Sequence, residues 1–85
     1  MYKPVITAEN IIELKEEALM NRLVEIARYQ EATLKDLTAS IKGNNNRVEV
    51  AAIFGGGIQM YKETMPEFEL VCARLVEVIE PKING

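Results

Sequence analysis

Apolar side chains recur about every 3.6 residues through the first half of the chain, where residues 8–42 contain neither glycine nor proline. The recurring positions include Ile12, Leu19, Leu23, Ile26, Leu34 and Leu37. This period predicts a long amphipathic helix over residues 8–42. Thr7 is a good N-cap candidate for this helix, and Gly43 suits the left-handed residue that often follows a helix.

The pattern changes to alternation in residues 47–63, where RVEVAAIF is followed by Gly55, Gly56 and Gly57 and then by IQMYKE. Alternating polar and apolar residues predict strands, and a glycine-containing connection between two such runs predicts a β-hairpin. The rival interpretation is one helix through the whole run. Three glycines in a helix interior would cost about 1 kcal/mol each, and this cost favours the hairpin.

A second helical pattern occupies residues 65–80. The segment Thr64-Met65-Pro66-Glu67 has the form of a capping box, and Pro81 is expected to end the helix. The predicted fold is therefore a single α-rich α+β domain: a helix over about 8–42, a hairpin over about 47–63 and a helix over about 65–80. The alternative is an all-α helical hairpin or bundle.

The length of the first helix predicts self-association. About 35 residues at 1.5 Å each make a rod of ~50 Å, whereas a compact domain of this size has a radius of gyration of about 12 Å. The rest of one chain is too small to cover the apolar stripe of such a rod. We therefore expect a homo-oligomer whose interface contains Ile12, Leu19, Leu23, Ile26, Gln30, Leu34 and Leu37. Gln30 either fixes the register of this interface or lies at its exposed rim.

The composition limits the chemistry that the chain can perform. It has 85 residues, one cysteine and no histidine, so an internal disulfide and a histidine-based catalytic relay are both excluded. A lone thiol among scattered carboxylates is not a metal-site pattern, and Cys72 is expected to be an inert buried thiol. The sequence therefore predicts a non-enzymatic protein with no metal and no cofactor.

Charge and hydropathy bear on partners and location. The net charge of −3 and the absence of a basic run make nucleic-acid binding unlikely. The longest uncharged apolar stretch, residues 50–60, is too short to span a membrane, and the first ten residues lack the apolar core of a signal peptide. With a single cysteine, these features indicate a cytoplasmic protein without a membrane partner.

The three glycines are also a candidate ligand site. Consecutive glycine amides can point at an anion, although the spacing matches neither of the familiar phosphate-binding fingerprints. Arg47 and Lys62 would supply positive charge, and Phe54 and Tyr61 would supply aromatic faces. The predicted site comprises Arg47, Phe54, Gly55, Gly56, Gly57, Tyr61 and Lys62. A flexible turn without a ligand is the competing interpretation.

Two functions follow from these patterns. The first is a non-enzymatic homo-oligomeric binding protein, a small regulator or inhibitor that acts through protein–protein contacts. The alternative is a protein that binds or sequesters a small anionic or nucleotide-like ligand with the Gly55–Gly57 loop at a subunit interface. DNA binding through the hairpin is the weakest hypothesis, because the chain is acidic.

Overall fold

The computed structural model describes residues 2–84, with side chains through Glu80, as two long antiparallel helices preceded by an N-terminal arm. The arm, residues 2–14, contains a 3-10 helix at Ile11–Glu13. Helix α1 spans Glu16–Ile41, and helix α2 spans Arg47–Asn84. Within the described residues there is no strand. Gly85, part of the predicted C-terminal tail, lies outside this range.

The predicted β-hairpin over residues 47–63 is wrong, because this run forms the first half of α2. The physical reason is a second pattern beneath the alternation: Ile53, Gly57, Met60 and Thr64 are spaced by four, three and four residues. This spacing places all four on one helical stripe that packs against α1. The same stripe continues through Glu67, Val71 and Leu75, and five of its members are buried. Packing of this stripe outweighs the unfavourable helix propensity of the glycines. The alternative prediction, an all-α helical hairpin, is confirmed.

The first helix begins later than predicted. Leu14 and Lys15 have extended backbone angles, so α1 starts at Glu16. Thr7 caps a short turn in the arm instead. Its hydroxyl oxygen accepts from the Asn10 amide at 3.3 Å, and its own amide donates to the Asn10 side chain at 2.9 Å. The arm is thereby folded back as a separate segment.

The connection between the two helices is short and is set by glycine and asparagine. Gly43 has a φ of +75°, which confirms its predicted role as the left-handed residue after α1. Asn46 then caps α2, because its side-chain oxygen accepts from the amides of Val48 at 3.0 Å and Glu49 at 3.2 Å. So short a loop forces the two helices to run antiparallel.

Thr64 and Pro66 lie in the interior of α2 rather than in a first turn, so the predicted capping box is wrong. The Thr64 hydroxyl donates to the Met60 carbonyl at 2.9 Å, and it accepts from the Gln30 amide at 3.0 Å. Pro66 has no amide hydrogen to donate within the helix. It lies on the exposed side of α2, where water can bond the carbonyl that is left without a donor. Pro81 likewise does not end the helix, which continues to Asn84.

The core lies at the open end of the hairpin, where the arm packs over both helices. Its buried members are Ile6 and Ile11 from the arm, Leu19 from α1, and Val71 and Leu75 from α2. The chain measures 56 × 24 × 15 Å, and its thickness exceeds one helix diameter of about 10–12 Å only slightly. The hairpin is therefore a single layer of helices, whereas stable domains usually consist of at least two.

Candidate functional site

One broad side of the hairpin carries an apolar surface that the arm does not cover. Among the described side chains, eleven large apolar ones are exposed. Seven of these come one residue after a position at which one helix packs against the other. A step of one residue is a rotation of 100°, and in antiparallel neighbours this rotation turns both sets toward the same side. We call these residues the apolar face: Met20, Val24, Leu34, Phe54, Ile58, Tyr61 and Val76.

The apolar face contains a groove of about 640 Å³ between α1 and the first half of α2. The groove is lined by Gln30, Leu34, Leu37, Phe54, Gly57, Ile58, Met60, Tyr61, Lys62 and Met65. At Gly57 an added Cβ would lie 2.5 Å from Leu37 Cδ1. Glycine at this position leaves room for the Leu37 side chain against the backbone of α2, and both residues line the groove.

The structure brings together only part of the predicted ligand site. Phe54, Gly57, Tyr61 and Lys62 all line the groove, whereas Gly55 and Gly56 face open space. Arg47 lies at the start of α2 beside the loop and lines a different, smaller pocket.

The predicted anion cradle does not form around the three glycines. They lie in the interior of α2, eight or more residues after its start at Arg47, so their amides belong to the hydrogen-bonded helix rather than to an open loop. Lys62 is the only charged side chain that lines the groove. The site that remains is apolar, with one cation at its edge.

The residues predicted for the oligomer interface divide into three groups. Leu19 and Ile26 are buried within the chain and are therefore inaccessible to a second copy, and Leu23 and Leu37 are half-buried. Gln30 is half-buried and bonded to Thr64. The remaining two are exposed, Leu34 on the apolar face and Ile12 on the arm.

A buried polar cluster occupies the opposite side of the hairpin and fastens the arm to it. Glu67 is 3% exposed. One of its carboxylate oxygens accepts from the Tyr2 hydroxyl and from Arg22 Nη2, the latter at 2.9 Å. The other accepts from Arg22 Nε at 2.7 Å and from the backbone amides of Val5 and Ile6 at 3.2 and 2.9 Å. These five donors occupy both oxygens.

Aromatic contacts extend this cluster. The Arg22 guanidinium lies 5.9 Å from the centre of the Tyr2 ring, and the Tyr2 ring lies 5.6 Å from that of Tyr29. Both distances fall within the range of attractive cation–π and aromatic contacts. The arm is therefore held by charge, hydrogen bonds and ring contacts at one point.

The environment of the cluster shifts its acid–base equilibria. Burial on its own would raise the pKa of Glu67, but the hydrogen bonds from Arg22, Tyr2 and the Ile6 amide, with the positive charge of Arg22, outweigh burial and lower that pKa to about 2. Burial, together with the hydrogen bond to Glu67 and its negative charge, raises the pKa of Tyr2 to about 12. The hydrogen bond to Glu67 also raises the pKa of Arg22. The cluster is therefore ionised at Glu67 and Arg22 and neutral at Tyr2 over the whole physiological range.

Sequence reasoning assigned Glu67 to a capping box and missed its central position. The signal that would have found it is the four-and-three spacing from Met60 through Thr64 and Glu67 to Val71. This spacing places Glu67 on the stripe that packs against α1. A carboxylate buried between two helices requires a cationic partner. Arg22 on α1 is that partner.

Comparison with protein families, with curated proteins and with solved structures finds no match to this chain. Within the described part of the chain, no helix is long and apolar enough to cross a bilayer. The described residues also contain no group of three or more cysteine and acidic side chains placed to hold a metal ion. The apolar face and the Glu67 cluster are therefore the features on which a functional interpretation depends.

Proposed function

We propose that this protein is a non-enzymatic homo-oligomeric binding protein that acts through protein–protein contacts, as small regulators and inhibitors do. The observation that carries the proposal is the apolar face: seven exposed large apolar side chains on one side of a single-layer hairpin. A second copy packed on this face would add the missing layer and complete a four-helix bundle.

The size of the apolar face is right for such an interface. At about 150 Å² for each side chain, the low end of the range for aromatic ones, seven side chains that are about half exposed leave roughly 500 Å² of apolar surface in water. The largest patch on a typical monomer is about 300–600 Å². A standard interface buries about 800 Å² per partner, and polar atoms around the face would supply the remainder.

The Glu67 cluster supports a structural rather than a catalytic role for the one buried carboxylate of the described chain. A general base needs an oxygen free to take a proton from a substrate. Both oxygens of Glu67 already accept hydrogen bonds, and the low pKa makes this carboxylate a very weak base. The lone cysteine, Cys72, is half-buried beside the apolar face and is free. A lone reduced cysteine also supports a cytoplasmic location.

A matched pair of substitutions tests the proposal. Ile58 lies on the apolar face and is 57% exposed, while Ile12 lies on the arm and is 71% exposed. Ile58→Glu should weaken self-association at least about 100-fold, because it buries a charge in the interface. Ile12→Glu should leave the association unchanged. Sedimentation velocity over a range of concentrations gives the dissociation constant of each variant. The same dissociation constant for both variants would contradict the proposal.

The second candidate function, small-ligand binding, is supported by the volume and lining of the groove. Because Lys62 is the only cation there, the groove suits an apolar molecule with an acidic end better than a nucleotide. Native mass spectrometry of protein purified from its own host tests this candidate. If the protein binds a small ligand, the spectrum should show a retained small molecule. Tyr61→Ala should release that molecule while leaving the helical content intact.

A further inference from the structure

We propose that the second copy packs with α2 antiparallel to α2, around a twofold axis that passes beside Met65. This inference rests on the proposed function and specifies the geometry of its interface. It is carried by three observations: the spacing of apolar residues on both helices, their common midpoint, and the signs of two exposed charges.

Two pairs of apolar residues on α2 lie symmetrically about Met65. Ile58 and Cys72 lie seven positions before and after it, and Phe54 and Val76 lie eleven positions before and after it. In an antiparallel pair centred on Met65, Ile58 of one copy meets Cys72 of the other. Phe54 likewise meets Val76. Tyr61 is the exception, because it lies four positions before Met65 and the position four after Met65 is Glu69.

The stripe of α1 has its midpoint at the same level of the hairpin. Val24 and Leu34 lie five positions before and after residue 29, whereas Met20 lies opposite Thr38. The adjacent Gln30 side chain donates to Thr64 at 3.0 Å and contacts the Met65 sulfur at 3.7 Å. One axis therefore relates both stripes to their copies, with α1 antiparallel to α1 while α2 is antiparallel to α2.

Two exposed charges of α2 are complementary in this arrangement. Lys62 and Glu69 are exposed, and neither has an ion-pair partner among the described residues. Lys62 lies three positions before Met65, and Glu69 lies four positions after it. Antiparallel packing brings Lys62 of each copy beside Glu69 of the other, so the pair occurs twice in the dimer.

The competing arrangement places α1 of one copy over α2 of the other. It would put the α2 stripe, which holds Phe54 and Tyr61, against the α1 stripe, which contains the charged Glu31. Aromatic anchors contribute most when they meet other apolar anchors in a desolvated centre. The α2–α2 arrangement achieves this and leaves Glu31 in the less apolar half of the interface.

Cysteine cross-linking tests the position of the axis. Helices packed 8–10 Å apart bring facing residues at a twofold axis within disulfide range. Met65→Cys in a Cys72→Ser background should form an intermolecular disulfide on mild oxidation. The native Cys72 should not, because its two copies would lie ~21 Å apart along the antiparallel helices. Circular dichroism of the reduced variant controls for loss of helix.

The outcomes separate this inference from the proposed function. Cross-linking at Met65→Cys but not at Cys72 supports the α2–α2 axis. A dimer in sedimentation that does not cross-link at Met65→Cys overturns the axis and leaves the proposed function standing. A monomer at every concentration overturns both.

A charge-reversal cycle provides a second, independent measurement. Lys62→Glu or Glu69→Lys alone should raise the dimer dissociation constant about tenfold, since each creates two repulsive pairs at exposed positions. The double variant restores both pairs with the signs exchanged and should return the constant to about the wild-type value. Additive losses in the double variant would contradict the pairing of these residues.

Discussion

The three glycines of α2 should respond to alanine in two different ways, and this response tests whether residues 47–63 are helical. Gly55 and Gly56 have ordinary negative φ, because Gly43 is the only glycine with positive φ among the described residues. A Cβ at either position would meet nothing within 4 Å. Alanine is favoured over glycine in a helix interior by about 1 kcal/mol. Gly55→Ala and Gly56→Ala should therefore each stabilise the protein.

Gly57→Ala should not show this gain. Its Cβ would lie 2.5 Å from Leu37 Cδ1, so the end of the Leu37 side chain must move. Because the obstructing atom is the end of a flexible, half-buried side chain, moving it costs no more than the lower end of the overpacking range, about 1 kcal/mol, which cancels the gain in helix propensity. In a Leu37→Ala background the obstruction is gone, and Gly57→Ala should then stabilise by about 1 kcal/mol like its neighbours.

Thermal unfolding followed by far-UV circular dichroism measures these effects at one fixed protein concentration, since an oligomer's Tm depends on concentration. For a chain of this size, 1 kcal/mol corresponds to a Tm shift of about 4–8 °C. A fall in Tm for both Gly55→Ala and Gly56→Ala is the result expected of a turn with positive φ. That result would refute the continuous helix.

Three further predictions concern the interior of the hairpin. The pKa of Glu67 is about 2 in the folded protein, against an ordinary value of 4.5. The ionised carboxylate therefore stabilises the fold fully above about pH 4.5. As pH falls toward 2, the free energy of unfolding should decrease by about 3 kcal/mol. Urea unfolding should show this loss in the wild type, and an equal loss in Glu67→Gln would argue against it. Thr64→Val removes the oxygen partner of the Gln30 amide, which keeps only its contact with the Met65 sulfur, and should cost about 1–2 kcal/mol in the same assay. Adding Gln30→Leu should recover most of that cost, and a further loss would count against the pairing. Leu19→Ala, at a fully buried position, should cost about 2–5 kcal/mol, and a cost below 1 kcal/mol would show that this site is not core.

The sequence predicted α1 and its end more successfully than α2, and the difference has a physical cause. In α1, local propensity and the apolar period agree from Glu16 to Ile41, and Gly43 supplies an unambiguous stop. In α2, three glycines and Pro66 disfavour a helix locally. Only contact with α1 reverses the balance, and that contact is a property of the whole fold rather than of a local window.

The candidate sites were predictable to different degrees. Phe54, Tyr61 and Lys62 were selected as neighbours of a glycine loop. They line the groove for a different reason, because Phe54 and Tyr61 share one helical stripe and Lys62 lies beside it. Glu67 was not selected because its donor Tyr2 is 65 residues away in sequence and Arg22 is 45 residues away. No local pattern connects residues at such separations.

The mass of the wild-type protein in solution tests most directly the claim that the apolar face packs against a second copy. Sedimentation equilibrium at micromolar concentration should give twice the chain mass of 9.6 kDa, and dilution should shift the mass toward that of one chain. A single species of 9.6 kDa that stays folded and monodisperse at every concentration would contradict the claim.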